Sequence, residues 1–356
     1  MAELFSTGST FAGFCFDLAR YSFKSCSAAA RRLTLRGRHL MAKRSETAAR
    51  LDDAARAGWL YYVAGRTQDE IAATMGISRQ SAQRLVSLAV AERLIKVRLD
   101  HPIAACLELA SQLRRKFGLK HVEVVPSDSG SSATVGIAEA AAAEIERWLK
   151  RAEPIVLAVG TGRTLKAAVD QLPAIECPNH RIVSLTGNIA PDGSAAYYNV
   201  IFSMADAVKA RHYPMPLPVL VTSAEERELL HGQQLVRSTL DMSAQADVTF
   251  VGIGELGIDG PLCVDGFLEK DEMMELMRGG AVGEICGWIF DVDGRLLDNP
   301  INERVASAPI PSRDASMVIG LAKGKRKFKA IRAAVVGQQI NGLITDEETA
   351  EFLLRN

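Results

Sequence analysis

Residues 154–169 read "PIVLAVGTGRTLKAAV". An apolar run from Ile155 to Val159 meets Gly160-Thr161-Gly162-Arg163-Thr164, and a helical pattern follows. A strand that turns through glycines into a helix presents backbone N–H groups and a helix N-terminus to an anion. Thr161 and Thr164 add hydroxyls there, and Arg163 adds a charge. An ordinary tight strand-to-helix turn would read the same way. The GxxxxGK[ST] phosphate loop is absent. The dinucleotide fingerprint GxGxxG would need glycine where Leu165 stands.

Outward from this turn the alternation repeats. Strand-like runs at 121–125, 154–159, 181–185, 218–222, 247–252, 286–291, 316–321 and 341–344 are separated by helical stretches. Those stretches lie at 133–150, 164–172, 199–211, 224–239, 269–278, 325–337 and 346–354. Buried strands alternating with helices predict an α/β domain over 119–356, built on a mostly parallel sheet covered on both faces. Its strand-end loops are "LTGNIAPDG" (185–193) with Gly187 and Asn188, "VGIGELGIDGP" (251–261), "AVGEICGWIFDVDG" (281–294) and "LAKGKRKFKAI" (321–331). In an open α/β sheet such loops converge where ligands bind. Glu284 follows a glycine and precedes an apolar run, so it faces either a pocket or the surface. The cluster Lys325, Arg326, Lys327 and Lys329 opens a helix, an unfavourable place for cations unless they meet an anion.

The N-terminal third is different. Residues 47–64, 67–75 and 78–91 carry helical periods, "LIKVRLDHP" (94–102) is extended, and 103–117 is helical again. Within "QDEIAATMGISRQSAQRLVSL" (68–88), Ala72 sits four residues before Gly76, and Ala82 and Leu85 lie six and nine beyond it. That is the spacing of a DNA-binding helix-turn-helix. Gly76 suits a left-handed turn and Ser78 suits an N-cap. The second helix then offers Arg79, Gln80, Ser81, Gln83 and Arg84; Arg can pair with guanine and Gln with adenine. A plain helical hairpin with a solvated polar face is the other reading. The organisation expected is a basic, disordered extension over 1–46, a winged-type all-α helix-turn-helix domain over 47–102, a linker helix over 103–118, and the α/β domain.

Formal net charge is zero over 356 residues, but residues 1–50 hold nine Lys/Arg against three acids, a net of +6. Residues 1–40 are Ser-, Arg- and Phe-rich without a period. Their composition is that of a transit peptide or of a tail translated upstream of Met41. Cys15, Cys26, Cys106, Cys177, Cys263 and Cys286 form no CxxC pair, so neither a zinc ribbon nor a disulfide framework is expected. The six histidines form no HExxH or HxH, so no metal and no cofactor is expected. No apolar run of about 18 residues points to a membrane span.

The chain resembles the SorC family of sugar-responsive bacterial transcriptional regulators over about residues 48–356. The resemblance is carried by "ARAGWLYYVAGRTQDEIAATMGISRQSAQRLVSLA", "VGTGRTLKAAV", "VSLTGNI", "ADVTFVGIGEL", "GAVGEICGWIFDVDGR" and "KGKRKFKAIRAAVVGQQINGLITDEETAEFLL". It implies operator DNA, a sugar, sugar alcohol or phosphorylated effector, a homo-oligomer (dimer or tetramer), a bacterial cytoplasmic location, and an effector fold related to sugar-phosphate isomerases and deaminases. It places the family's phosphate-contacting turn on Thr161, Gly162, Arg163 and Thr164. Its acidic residue falls on Glu284 and the lysine of its G-G-x-x-K element on Lys327. That element reads Lys323-Gly324 here, which leaves a phosphorylated and an unphosphorylated effector both open. The alternative is an isomerase- or deaminase-like enzyme with an added helical domain. The related deaminases carry a histidine in G-x-D-G-H. Here Gly257-Ile258-Asp259-Gly260-Pro261 ends in a proline that cannot move a proton, so no catalytic residue is expected.

Overall fold

The computed structural model describes residues 48–92, 94–95, 103–128, 134–190, 193–194 and 198–356. They fall into two units, divided between Arg98 and Leu99. The expected N-terminal extension lies outside the described residues, as do Met41 and the extended segment beyond Ile95.

The described residues of the first unit hold three helices: α1 (48–62), α2 (Gln68–Met75) and α3 (Arg79–Ala91). Thr67 starts α2 through a reciprocal capping box with Glu70, which satisfies two otherwise orphaned N–H groups. Gly76 ends it at φ 67°, where a side chain would be strained. Ser78 then caps α3 by accepting from the Ser81 N–H at 3.2 Å. Ala57, Ile71, Ala72, Ala82 and Val86 form the core, with Met75, Ile77 and Leu85 packed at its edge. Alanines at the crossing let the helices approach closely.

In the second unit the strands are β1 (His121–Val125), β2 (Val156–Val159), β3 (Arg181–Ile189), β4 (Arg211–Pro218), β5 (Val248–Gly252), β6 (Gly254–Glu255), β7 (Gly283–Ile285), β8 (Trp288–Phe290), β9 (Met317–Leu321) and β10 (Gly342–Asp346). Its helices are α4 (Ala104–Phe117), α5 (Val135–Leu149), α6 (Arg163–Val169), α7 (Val200–Val208), α8 (Ala224–His231), α9 (Gln234–Ala244), α10 (Pro261–Val264), α11 (Lys270–Arg278), α12 (Pro300–Glu303), α13 (Phe328–Val336) and α14 (Glu347–Arg355). Seven strands form one sheet in the order β1-β10-β9-β5-β2-β3-β4, every pair parallel. Along β2 the side chains alternate between faces. Val156 and Ala158 join α4, α9, α13 and α14, while Leu157 and Val159 join α5, α6 and α7.

Three expectations need correction. The strand expected at 218–222 is instead β4, 211–218, and α7 stops at Val208. Pro214, Pro216 and Pro218 argue against a strand from sequence alone. Among the described residues β4 pairs only with β3, so it is an edge strand, where a missing N–H is tolerated. The helix expected over 224–239 is two helices, parted near Gly232. The strand expected at 286–291 is outside the parallel sheet. β6, β7 and β8 form a separate antiparallel sheet, turned at Cys286-Gly287. Both turn residues have positive φ, 54° and 87°, which suits a two-residue hairpin to the natural strand twist. The helix expected over 103–118 is α4, which packs Cys106, Ala110 and Leu113 into the core of the second unit. Its apolar face therefore serves the sheet.

Candidate functional site

The chain leaves β2 and moves outward through β3 and β4, then returns to the other side of β2 for β5, β9 and β10. The winding reverses between β2 and β5. At such a reversal the loops diverge and leave a crevice beyond the carboxyl ends of the strands. The Gly-rich turn stands there: the Gly160 N–H donates to Phe250 O at 2.9 Å. A Cβ on Gly160 would lie 2.9 Å from the buried Cys286 Sγ, so only glycine lets β2 and the β7–β8 hairpin meet. Gly162 has φ 121° and open space around it, and it precedes a helix of seven residues.

Gly160, Thr161 and Gly187 line one small cavity with Ser184, Thr186, Tyr198 and Asn199. Its volume is about 10 Å³, room for about one water. The Thr161 hydroxyl donates to Tyr198 O at 3.3 Å, and the Ser184 hydroxyl donates to Thr186 O at 2.7 Å. The Asn199 Oδ1 is buried and has no hydrogen-bond partner among the described residues. Gly187 also has a packing reason: a Cβ there would sit 1.7 Å from Leu217 O of β4. Thr164 is half-buried and Arg163 exposed at the start of α6. Asn188 lies in β3, and its side chain is outside the described residues.

Glu284 and Lys327 form a second cluster, one step away and outside the lining of that cavity. The Glu284 carboxylate accepts from the Gly287 N–H at 2.8 Å, across the hairpin turn. Gly254, its cross-strand partner, leaves room for it: a Cβ would fall 2.0 Å from Glu284 Oε1. Burial pushes the Glu284 pKa up, against the Gly287 bond and the Lys327 charge, and the Glu255 charge pushes the same way as burial. Lys327 closes a 3-10 turn (Lys325–Lys327) ahead of α13. Its ammonium donates to Ile253 O at 2.8 Å and lies 3.5 Å from Glu255 Oε2. Arg326 approaches the other Glu255 oxygen at 3.8 Å, and Lys325 pairs with Glu348 at 2.9 Å. The anions these cations meet are therefore carboxylates of the protein. Cys286 links the two clusters, between Gly160 and Glu284; burial and then Glu284 hold its thiol protonated.

On α3, Arg79, Gln80, Gln83 and Arg84 are exposed, and Arg79 lies 3.5 Å from Asp69. Ser81 is half-buried and its hydroxyl pairs with that of Ser78 at 2.9 Å, so it serves the cap. A larger open groove of about 470 Å³, lined by Arg227, His231, Arg237 and Trp288 among others, contains none of the residues singled out from sequence. Sequence reasoning passed over Ser184, Thr186, Tyr198, Asn199 and Glu255. Glu255 carries a signal, a lone carboxylate in the strand-end stretch "VGIGEL". Tyr198 and Asn199 carry none, because only the path of the chain after β3 returns them to β2. Among the described residues no His, Cys, Asp and Glu group could hold a metal ion, and no helix is long and apolar enough to cross a membrane.

The profile of the family described as "Putative sugar-binding domain" matches residues 101–355. The erythritol catabolism regulatory protein EryD of Brucella abortus (strain 2308) is 35% identical over 303 residues, covering 85% of this chain and 96% of EryD. The crystal structure of the full-length sorbitol operon regulator SorC from Klebsiella pneumoniae superposes with a TM-score of 0.62 at 26% identity, over 85% of this chain and 99% of that one. The chain belongs to the SorC family of sugar-binding transcriptional regulators. The transcriptional regulator LsrR of Escherichia coli (strain K12) is 32% identical over 312 residues, 86% of this chain and 95% of LsrR. These relatives are regulators of transcription. This SorC-family chain is likewise a regulator and not an enzyme, which sets aside the isomerase or deaminase alternative.

Proposed function

We propose that this regulator binds operator DNA through α3, and that a sugar, sugar alcohol or sugar phosphate bound at the crevice between β2 and β5 changes that affinity. The observation that carries the effector half is the cavity at the winding reversal. It is built from the Gly-rich turn and faced by an unpartnered Asn199 oxygen. Arg79, Gln80, Gln83 and Arg84 supply the base- and phosphate-reading groups, and Ser81 orders the start of the helix. One recognition helix covers few base pairs, so a homo-oligomer, dimer or tetramer, would place two of them one DNA turn apart, about 34–36 Å. A regulator of bacterial operons acts in the cytoplasm, where the chromosome lies.

A ligand alters DNA affinity only by binding the DNA-competent and incompetent arrangements unequally. The test is fluorescence anisotropy of labelled operator DNA titrated with the full chain, with and without each candidate effector. The expected outcome is a shift in operator Kd of fivefold or more with one ligand class, reciprocated as a shift in ligand affinity when operator is present. Identical operator curves across all sugars, polyols and phosphates would refute the effector role.

A further inference from the structure

We infer that the open groove bounded by α8, α9 and β8 is a second ligand site, separate from the crevice, and that it takes a small organic anion: a carboxylate or phosphate carried on a flat apolar body. The groove encloses about 470 Å³, inside the range of about 300–1,000 Å³ that small-molecule sites occupy. Arg227 of α8 and Arg237 of α9 both line it. Neither guanidinium has a carboxylate partner among the described residues. Arg227 is half-buried and donates to Asn302 O at 3.3 Å, which leaves most of its donors free. Arg237 makes no side-chain hydrogen bond among the described residues. Lys325, Arg326 and Lys327, by contrast, are each met by a carboxylate. A guanidinium fork left without an internal anion matches carboxylate or phosphate oxygens two at a time. Glu228 lines the same groove and pairs with neither arginine, so two forks stand against one exposed carboxylate. The apolar half of the ligand is set by Trp288. Its indole N–H donates to Ala308 O at 3.1 Å, so the ring is held by that edge and gives the groove apolar surface. A flat ring packs well against an indole.

Two short pieces of chain tie the groove to the crevice. His231 donates its Nε2–H to Ala306 O at 2.9 Å, and Trp288 holds Ala308 O. The Ala308 N–H in turn donates to Leu185 O at 2.7 Å, next to Thr186 in the crevice lining. Trp288 also pairs with Ile285 across the β7–β8 hairpin, whose turn residue Cys286 packs against Gly160. A ligand that shifts Trp288 or residues 306–308 therefore acts on both sides of the crevice. Binding in the groove stands by itself; its effect on operator affinity rests on the effector site proposed above.

The experiment uses the full chain labelled with fluorotryptophan. Its three tryptophans, Trp59, Trp148 and Trp288, are followed by fluorine NMR, with the Trp288 signal assigned through Trp288→Phe. The probes are phenyl phosphate, benzoate, inorganic phosphate and benzyl alcohol, each also titrated by calorimetry. Phenyl phosphate or benzoate should move the Trp288 signal saturably, and bind at least about tenfold more tightly than benzyl alcohol or inorganic phosphate. The tighter of the two names the head group. No movement of the Trp288 signal with any probe overturns the site. Equal affinity for benzyl alcohol overturns the anion, and equal affinity for inorganic phosphate overturns the apolar body. Arg237→Gln should weaken the better probe about tenfold at an unchanged melting temperature, since Arg237 holds nothing in the fold. Glu228→Gln should strengthen it about threefold by removing an exposed like charge. Unchanged affinity in both variants overturns the groove as the site. Asn199→Ala, in the crevice, should leave the probe's affinity within about twofold; a larger loss would put the probe in the crevice and overturn a second site. A mass by light scattering that falls with Arg237→Gln would make the groove an interface between copies, and overturns the proposal too. Operator affinity is read last. A probe that binds at Trp288 and leaves operator Kd unchanged overturns the coupling alone. Failure of the effector reading shows differently, as operator curves that no sugar, polyol or sugar phosphate moves while groove binding persists.

Discussion

The described part of the first unit packs its helices around seven buried hydrophobic residues, five of them alanine; the second fills both faces of a seven-stranded sheet with leucine, isoleucine, valine and phenylalanine. Alanine brings helix axes close but removes little apolar surface from water. The first unit therefore leans on its helix ends: the Thr67–Glu70 box, the Gly76 turn and the Ser78 cap. The second also carries features that cost free energy. Buried Asn302 and Asn341 are each fixed by several backbone bonds, and Cys286, Lys209 and Gln338 take positive φ without being glycine. A unit proposed to lie against DNA would be served by a free polar face and a small core. A unit that must shape a cavity needs a rigid surround.

The hardest test of that contrast is a matched pair of core truncations. Phe250→Ala should cost about 3–5 kcal/mol, because Phe250 is fully buried between β5 and the α5–α7 face. Ile71→Ala should cost about 2–5 kcal/mol, a large share of what so small a core can supply. Calorimetry should show Phe250→Ala lowering the transition of the second unit. Ile71→Ala should abolish operator binding and leave that transition in place. A single transition that moves equally for both variants breaks the comparison.

Acid should find the second unit first. His121, at the start of β1, is held neutral: burial, then the Arg147 and Arg114 charges, bring its pKa down to about 4 from 6.5. A depressed pKa means that the unfolded chain takes up the proton first. The associated stability is complete above pH 6.5 and is lost as pH falls through about 4, of order 2–3 kcal/mol. The described part of the first unit has no histidine. Thermal melts across this range should show the second unit losing stability, and His121→Gln should flatten that loss. An unaltered slope in the variant would assign the effect to carboxylates.

On the exposed side of the comparison, Gln80→Ala should cost about 1–3 kcal/mol against the cognate operator and little against random DNA, if Gln80 reads a base. Equal losses on both would make it a phosphate contact. The smallest effect is expected at a cap: Thr67→Ala should lower first-unit stability by about 1 kcal/mol, as seen in denaturant midpoints. A cost near zero would mean that the alanine core carries more than its area suggests.

What could be seen in the sequence was local. The Ala72–Gly76 spacing, the Ser78 cap and the strand-turn-helix at 154–169 are written in neighbouring residues, because caps, turns and periodic faces act over a few positions. The pattern failed where local signals conflict with neighbours. Three prolines hid β4, which only an edge position permits, and the run at 286–291 looked like one strand until paired positive φ values at Cys286 and Gly287 made its start the turn of a hairpin. Of the candidate site, Gly160, Thr161 and Gly187 were legible as loop glycines and a hydroxyl, and they line one cavity. Glu284 and Lys327 were legible as charged loop residues, but not as a cluster in which Glu255 takes the lysine first. Tyr198 and Asn199 were invisible.

The sequence by itself determined the two kinds of unit, the alternation of strands and helices, and the glycines at the strand end, since each is set by contacts within a turn or two of chain. Only the tertiary structure decided the strand order β1-β10-β9-β5-β2-β3-β4, and with it the reversal of winding between β2 and β5. That reversal brings residues 160–161, 184–187, 198–199, 253–255, 284–287 and 327 to one end of the sheet. Strand order depends on which apolar faces find each other across more than a hundred residues, and no local pattern encodes that choice.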